Sequence, residues 1–339
     1  MPTDLSSLIE VSARIGANPL LVQGPGGNTS LKAGGEVWVK ASGTWLSEAA
    51  DRPIFVGLEL DEARARLAAD LDADLAPARA SGSSDLRPSI ETALHVLMPH
   101  PAVLHAHAVG AMTTSVLEDG KARADRALAG LSWVWIDYRR PGAPLAEAIQ
   151  RVLNETPADV LILQNHGVVV GGATPHQAEA MLIEVERRLA LPARDLADGA
   201  RPSDAPPTDF QWLPELSGLA TDPRARDIVT RTPLVPDQVV FLGGAVPTVL
   251  AGETLLDAAA RTRRDTGVEP AFLLAPEMGV YGRTGRSTAA ESVMWGLYEV
   301  ARRVPADAQV RGLPDGAIAA LLGWDAETYR LSLAQGRTA

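Results

Sequence analysis

The sequence contains no cysteine, which excludes disulfide bonds, thiolate metal ligands and a catalytic thiol. It also lacks long hydrophobic runs: apolar stretches such as residues 168–170 fall far short of the roughly 18 residues that cross a bilayer. The first residues include neither a basic segment nor an extended apolar one, so no secretory signal is visible. We therefore expect a cytoplasmic protein that does not enter membranes.

Basic residues are in the minority. Lys and Arg total 31 against 42 Asp and Glu, which gives a formal net charge of −11. Nucleic-acid and anionic-membrane binding depend on Lys and Arg that neutralise phosphates, so we expect neither partner. A small anionic substrate remains possible, because a few backbone amides and one or two cations can bind a single phosphate.

What the sequence does have is a composition suited to globular domains, with 46% hydrophobic and 22% charged residues among 339. Strand-like and helix-like segments alternate irregularly, which favours a mixed α/β architecture. Residues 192–208, rich in Pro, Ala, Asp and Ser, are typical of a linker. We predict domains at 1–200 and 201–339 and find no internal repeat.

Three local predictions bear on the later argument. Ser89 has the character of an N-cap for a helix over Ile90–Met98, and Val103–Val109 alternates as a strand does. In the second domain the apolar run Val239–Gly243 predicts a further strand.

The six histidines all lie between residues 95 and 176. His105 and His107 are two residues apart in a predicted strand, so their imidazoles should emerge on one face. His166 directly follows a buried apolar strand, and Glu91 lies early in the helix before the His-x-His strand. Three imidazoles with one carboxylate or water suit a zinc site with a reactive position.

Other interpretations of the histidines stay open. A His-x-His pair also arises by chance, and buried imidazoles are often only hydrogen-bonded core residues. His95 is one helical turn from Glu91, so a Glu-x-x-x-His ligand pair is a competing geometry. His100 and His176 stand beside prolines at loop positions, where a structural role is the better interpretation.

A glycine-rich segment, residues 24–30, lacks the Gly-Lys-Ser/Thr ending of a P-loop and the Gly-x-Gly-x-x-Gly of a dinucleotide fold. By itself it could be only a hairpin turn. Asn28, Ser42, Gly43 and Ser89 nevertheless all fall at turns or a helix start, where backbone N–H groups and hydroxyls can bind a phosphate. Lys40 adds one nearby positive charge.

Five short motifs follow one another along the chain: Gly26-Gly27-Asn28-Thr29-Ser30, Lys40-Ala41-Ser42-Gly43, Pro88-Ser89-Ile90-Glu91, His105-Ala106-His107 and Asn165-His166-Gly167. Their order resembles that of the class II sugar-phosphate aldolase and adducin-like family, over residues 5–195. The short interval between Glu91 and His105 and the segment 275–284 are most similar to the aldolase portion of proteins that fuse an aldolase to a short-chain dehydrogenase.

The resemblance implies a three-layer α/β/α sandwich with a central, largely antiparallel sheet, here followed by a smaller C-terminal α/β domain. It implies Zn²⁺, or another divalent metal such as Mn²⁺ or Co²⁺, on His105, His107 and His166, with Glu91 helping to hold the metal and acting as acid/base. It implies a phosphate site at Asn28, Ser42, Gly43 and Ser89, with Lys40 close by; Ile90 stands where some relatives have a second serine. Tyr138 matches a tyrosine that donates a proton at a neighbouring subunit's site, and the family usually forms four-fold homotetramers.

The function so implied is a lyase, a metal-dependent aldolase that cleaves or forms a carbon–carbon bond of a sugar or sugar phosphate through a zinc-stabilised enediolate. Three alternatives remain on the same scaffold: a sugar-phosphate 4-epimerase, a dehydratase or decarboxylase, and a non-enzymatic adducin-like binding protein. Retention of all three histidines and Glu91 disfavours the last, because adducin-like proteins lack the metal ligands.

Overall fold

The computed structural model describes residues 3–197, 199, 202 and 205–335. The chain forms two compact units. Unit 1 extends to Ser115 and resumes from Gly120 to Ala190, and unit 2 contains Val116–Asp119 and the chain from Leu191 onward. The predicted boundary between residues 200 and 201 falls outside the described residues and stays a prediction.

Unit 1 is built on a seven-stranded sheet in the order β3-β2-β1-β4-β7-β6-β5. Its strands are β1 Asn28–Ala33, β2 Glu36–Lys40, β3 Phe55–Glu59, β4 Ala102–Ala106, β5 Trp133–Ile136, β6 Val160–Leu163 and β7 Gly167–Gly172. Every neighbouring pair is antiparallel except β5 and β6, which are parallel. The predicted, largely antiparallel sheet is therefore confirmed.

Helices cover both faces of this sheet. They are α1 Ser6–Gly16, α2 Leu60–Ala69, α3 Thr92–Leu97, α4 Val109–Ser115, α5 Gly120–Ala127, α6 Ala143–Glu155 and α7 Pro175–Leu189. Alternation along β4 divides the core: Ala102 and Leu104 pack in a cluster with α1 and α7, whereas Val103 packs with α3 and α6. Two helical layers on one sheet give the predicted three-layer sandwich.

The same alternation positions the histidines. His105 follows Val103 by two residues and so lies on the face that α3 and α6 cover. On the adjacent strand β1, Asn28 is paired with His105 and Ser30 with Val103. Polar side chains from β1, β4 and the start of α3 therefore meet in the layer between the sheet and α3.

Unit 2 is a smaller α/β domain with a three-stranded antiparallel sheet in the order β8-β10-β9. The strands are β8 Phe210–Leu213, β9 Phe272–Ala275 and β10 Gly279–Arg283, and the helices are α8 Gly218–Thr221, α9 Pro223–Arg231, α10 Pro236–Leu242, α11 Leu255–Thr266, α12 Thr288–Ala301, α13 Asp315–Leu322 and α14 Asp325–Gln335. Its sheet packs against α11 around Leu273, Ala258 and Phe210.

Three local predictions are corrected. The run 239–243 belongs to helix α10, because Pro236 begins a helical turn and Gly243 ends it in the left-handed conformation (φ 78°). Helix α3 begins at Thr92 rather than Ile90, because a turn in which the Thr92 N–H donates to the Ser89 carbonyl comes first. Strand β4 ends at Ala106, because the carbonyl of Ala108 already accepts the N–H of Met112 in helix α4.

None of the described helices combines the length and the hydropathy that a bilayer crossing requires.

The close contact of Gly167, the first residue of β7, with β4 predicts that a larger residue here destabilises the fold. A Cβ at this position would lie 2.4 Å from the carbonyl oxygen of Ala106, so backbone would have to shift. We expect Gly167→Ala to lower the free energy of unfolding by about 1–3 kcal/mol, the usual cost of overpacking. The measurement is urea unfolding of the full chain.

Gly316→Ala is the matched control, because Gly316 is exposed on α13 and a Cβ there would meet nothing within 4 Å. Its unfolding curve should stay unchanged or move to higher urea. Equal transitions for the Gly167→Ala variant and the parent protein would show that the close approach is not required.

Candidate metal centre

His105, His107 and His166 form the cluster suited to a metal ion among the described residues. One ring nitrogen of each lies within 4.8 Å of the others, and all three side chains are buried. The ring centroids are 4.8 to 5.2 Å apart. Nδ1 of His105 is 3.0 Å from the carbonyl oxygen of Val168, so this nitrogen carries the proton and Nε2 offers its lone pair to the cluster.

Each of the three histidines lies at or next to the end of a strand, where the following turn or helix fixes the backbone. His105 is in β4, and His107 follows the end of that strand just before α4 begins. The carboxylate of Glu186 on α7 accepts the N–H groups of Gly110 and Ala111, which anchors this first turn of α4. His166 follows Asn165, a left-handed residue (φ 54°) in the tight turn between β6 and β7.

Two glycines allow the backbone to close around the histidines. Gly167 lies against the carbonyl of Ala106, and Gly27, with φ 63°, lies where a Cβ would come 2.8 Å from the carbonyl oxygen of His105. Any side chain at either position would separate the neighbouring segments from β4. Close approach to the His-x-His strand thus explains these two motif glycines.

Glu91 is the acidic residue of the cluster. It is the residue immediately before α3, buried, with Oε2 3.4 Å from Nε2 of His105 and Oε1 3.5 Å from Nε2 of His166. Burial by itself raises the pKa of a carboxyl, but when no metal is bound, protonated His105 and His166 and the Asn28 amide lower the pKa of Glu91 to about 2. A bound dication would supply the positive charge when the imidazoles are neutral. Glu91 is therefore a carboxylate at neutral pH.

Asn28 connects Glu91 to the interior. Its amide nitrogen donates to Glu91 Oε2 at 2.8 Å and to Ser89 Oγ at 3.2 Å, and its amide oxygen contacts Nε2 of His95. His95 Nδ1 lies 2.7 Å from Ser30 Oγ. His95 thus contacts Asn28 and Ser30 and is not a member of the three-histidine cluster, which disfavours the competing Glu-x-x-x-His geometry.

Of the predicted phosphate residues, Ser42, Gly43 and Ser89 lie on two neighbouring segments, whereas Asn28 is on strand β1. The Ser42 N–H donates to the Arg87 carbonyl, and the Ser89 N–H donates to the Lys40 carbonyl, which aligns residues 40–42 with 87–89. Ser42 Oγ is buried and has no hydrogen-bond partner among the described residues, and Gly43 is left-handed (φ 73°).

Lys40 contributes differently from the serines. Its buried ammonium group donates to the carbonyls of Pro25 and Gly27, both at 2.9 Å. The Lys40 side chain therefore holds the glycine-rich segment, which in turn packs on the backbone of β4.

Tyr138 follows β5, and its backbone N–H donates to Oε1 of Gln164 at 3.1 Å. Gln164 is two residues before His166 in the chain. The Tyr138 hydroxyl is buried and makes no hydrogen bond within the described chain. Burial raises the pKa of this hydroxyl to about 12, against a smaller lowering by Arg140, so the phenol is protonated at neutral pH.

His100 and His176 lie outside the cluster. Nε2 of His100 contacts Asp159 at 2.8 Å, and His176, half exposed, lies 3.5 Å from Glu10. The residues that sequence reasoning missed are Ser30, Gln164 and Glu186. Only Ser30 carried a usable signal, since it lies two positions beyond Asn28 on one strand and so shares its face.

The matching family model is the class II aldolase and adducin N-terminal domain, over residues 6–191. This is more than half of the chain, and the chain therefore belongs to that family. It is also 32% identical over 189 residues to the uncharacterized oxidoreductase YuxG of Bacillus subtilis (strain 168). That match covers 51% of this chain and 27% of YuxG, so the chain spans about a quarter of that relative's length.

Two solved structures are among those similar to the chain. The N-terminal class II aldolase domain of a conserved protein from Thermoplasma acidophilum is 27% identical, with a TM-score of 0.48, over 56% of this chain and 93% of that domain. L-fuculose-1-phosphate aldolase from Thermus thermophilus is 16% identical, with a TM-score of 0.38, over 54% of this chain and 89% of that enzyme.

The cluster geometry predicts how metal binding responds to substitution. We expect His107→Ala to lower zinc content from stoichiometric to below about a tenth of an ion per chain, because two imidazoles hold zinc far more weakly than three. His176→Ala, at an exposed histidine outside the cluster, should leave zinc content unchanged. Zinc is measured by mass spectrometry of dialysed protein, with circular dichroism to verify folding; full zinc content in folded His107→Ala would contradict the ligand assignment.

Proposed function

We propose that this protein is a divalent-metal-dependent aldolase acting on a sugar or sugar phosphate. The observation that carries the proposal is the buried Glu91 carboxylate within 3.5 Å of two imidazoles of a three-histidine cluster. Three neutral imidazoles with an adjacent carboxylate suit zinc, and also Mn²⁺ or Co²⁺. Membership of the class II aldolase and adducin family supports the same chemistry.

His105, His107 and His166 would hold the ion. When bound, the dication supplies a Lewis acid that takes up negative charge on the carbonyl oxygen of the ketone fragment. Glu91 is ionised at neutral pH and can accept a proton from the carbon next to that carbonyl. Its position within 3.5 Å of His105 and His166 supports this role, because a carbonyl held at the cluster would bring the neighbouring carbon close to the carboxylate.

We propose that Tyr138 is the proton donor for the aldehyde fragment. In the direction of bond formation, the carbanion of the ketone fragment attacks the aldehyde carbon, the carbon–oxygen π bond breaks, and the aldehyde oxygen takes the phenol proton. Cleavage reverses each transfer. The high pKa of Tyr138 keeps the phenol protonated, as a donor requires. We propose that it serves a neighbouring subunit of a homotetramer, as the family resemblance implies; for this the side chain must turn outward from the position in which its hydroxyl is buried in its own chain.

Ser42, Gly43 and Ser89 are proposed to bind a substrate phosphate. The buried hydroxyl of Ser42 supports this, because a buried hydroxyl without a protein partner is costly unless a ligand uses it. Asn28 and Lys40 were predicted for the same role, but their side chains already donate to Glu91 and to the Pro25 and Gly27 carbonyls. For them we propose an indirect contribution, through the segments that they hold.

The proposal predicts the consequence of Glu91→Gln. The metal-loaded full chain is screened against sugar phosphates and the matching free sugars, with aldehyde release as the readout. With the best substrate, Glu91→Gln should slow exchange of the ketone-side proton with solvent by about 10²–10⁴-fold, because the amide cannot accept it. Glu147→Gln, at an exposed position on α6, is the control.

The other outcomes discriminate between functions. Wild-type exchange in Glu91→Gln would remove Glu91 from the role of base. Inversion of a hydroxyl-bearing carbon without aldehyde release would indicate an epimerase, and loss of water or CO₂ would indicate a dehydratase or decarboxylase. A chain that binds no divalent metal would favour the adducin-like binding protein.

A further inference from the structure

A line of four buried side chains leads from the interior of the sheet to Glu91. Ser30 and His95 are fully buried, and Asn28 and Glu91 are at most 6% exposed. Consecutive members are hydrogen-bonded: Ser30 to His95 at 2.7 Å, His95 to Asn28, and Asn28 to Glu91 at 2.8 Å. Buried polar groups of this kind are costly unless every donor meets an acceptor.

The chemistry of the groups fixes the direction of each bond. The Glu91 carboxylate can only accept, so the amide nitrogen of Asn28 faces it and the amide oxygen faces His95. An amide oxygen also only accepts, so Nε2 of His95 must carry a proton. Burial lowers the pKa of His95 to about 3, so the ring is neutral and Nδ1 accepts the Ser30 hydroxyl proton.

We propose that His95 and Asn28 are positioning residues for Glu91 in the reaction, a role that rests on the proposed function. Asn28 holds Oε2 of Glu91, whereas Oε1 accepts no hydrogen bond among the described residues and lies 3.5 Å from His166. One oxygen is thus fixed by the protein and the other remains for the proton transfer. His95 keeps the Asn28 amide from flipping, because a flip would set its NH₂ group against the Nε2–H of the ring.

The tautomer of His95 tests this line of bonds independently of any activity. Long-range ¹H–¹⁵N NMR spectra of the zinc-loaded full chain, labelled at histidine and assigned with a His95→Gln variant, should show His95 as the neutral Nε2–H form from pH 5.5 to 8.5. A neutral Nδ1–H form, or a protonated ring in that range, would overturn the proposal whether or not the protein is an aldolase.

Kinetics test the consequence for Glu91. We expect His95→Leu to lower kcat by about 10- to 100-fold, with KM and zinc content within twofold of wild type, because only the orientation of the base is lost. His95→Gln keeps a donor for the Asn28 oxygen and should recover most of kcat. His100→Gln, at the histidine paired with Asp159, is the control.

An equal loss in the folded Leu and Gln variants, or a loss confined to KM, would contradict a positioning role. If the wild-type chain turns over no sugar, the proposed function fails, and the NMR experiment still decides the hydrogen-bond line. If the wild-type chain is active and His95→Leu is fully active too, only the positioning role fails.

A second inference rests on an independent observation: unit 2 repeats the strand order of the site-bearing half of unit 1. In unit 1, β4 is antiparallel to β7, β7 to β6, and β6 is parallel to β5. In unit 2, β8 is antiparallel to β10, β10 to β9, and a parallel bridge joins Leu274 of β9 to Thr248. Helix α11 lies between Thr248 and β9 in the chain, as α6 lies between β5 and β6.

The details of the two hairpins also match. Gly167 pairs with Leu163, and Gly279 pairs with Ala275, so three residues turn each hairpin. Asn165 and Glu277, the middle residues, are the two non-glycine residues with positive φ in the described chain. Each second strand is followed by a long helix, α7 or α12, whose N-cap hydroxyl accepts the N–H three residues on.

We infer that residues 210–301 are a second copy of the arrangement in residues 102–189, and that this copy has lost its metal site. Val168 and Val280 each follow the hairpin glycine by one residue, and their partners on the neighbouring strand are Ala106 and Leu213. Ala106 therefore corresponds to Leu213. This register places three residues that cannot form a zinc site at the ligand positions: Trp212 for His105, Pro214 for His107 and Met278 for His166. Trp212 and Met278 lie close together, as His105 and His166 do in unit 1: the Trp212 indole N–H donates to the Met278 carbonyl at 3.2 Å.

Rebuilding the ligands tests the equivalence. In a His107→Ala background, Trp212→His, Pro214→His and Met278→His together should restore about one zinc ion per chain, whereas the wild-type chain should bind one and not two. If the triple replacement unfolds, Trp212→His with Met278→His, which retains Pro214, is titrated with zinc instead; a second two-imidazole pair should raise the number of weak zinc sites per chain from one in the His107→Ala background to two. A folded variant that gains no zinc, or a wild-type chain that binds two ions, would overturn the inference.

Discussion

The unit 1 site depends on one constraint: a carboxylate must remain ionised while buried beside three imidazoles. Burial opposes ionisation of Glu91. A hydrogen bond from Asn28 counters it, together with positive charge at the cluster that either protonated imidazoles or a bound dication would carry. Both effects weaken when the groups move apart. A strand end, a helix start and a β-hairpin turn must therefore be brought together around a small volume.

Backbone proximity makes that placement possible. Gly27 and Gly167 approach β4 at His105 and Ala106, where a Cβ would collide with carbonyl oxygens. Lys40 then holds the glycine-rich segment through two carbonyls. Close-packed backbone leaves little room for the three histidines to shift, so main-chain contacts as well as their own hydrogen bonds hold them in place.

Sequence reasoning found the three histidines because period-two spacing and a strand end are local signals, and motif order supplied the fold. It could not find the His95–Asn28 bond, because that contact follows from the pairing of β1 with β4, which no local pattern reveals. The strand prediction at 239–243 was wrong because it gave more weight to hydrophobicity than to Pro236 and Gly243, which mark the start and the end of helix α10. The repeat was invisible because residues 159–172 and 271–284 share only Leu161/Leu273, Gly167/Gly279 and Val168/Val280.

The repeat also bears on what the metal does for the fold. In unit 2 the same hairpin, register and capped helix form with Trp212 and Met278 where unit 1 has imidazoles, and apolar packing around Leu273 and Ala258 supports that sheet. The arrangement therefore does not need an ion to be stable. In unit 1 the corresponding strands are likewise fixed by apolar clusters on both faces. The metal binding proposed for His105, His107 and His166 would thus add to a frame that apolar packing already supports, as a catalytic rather than a structural site requires.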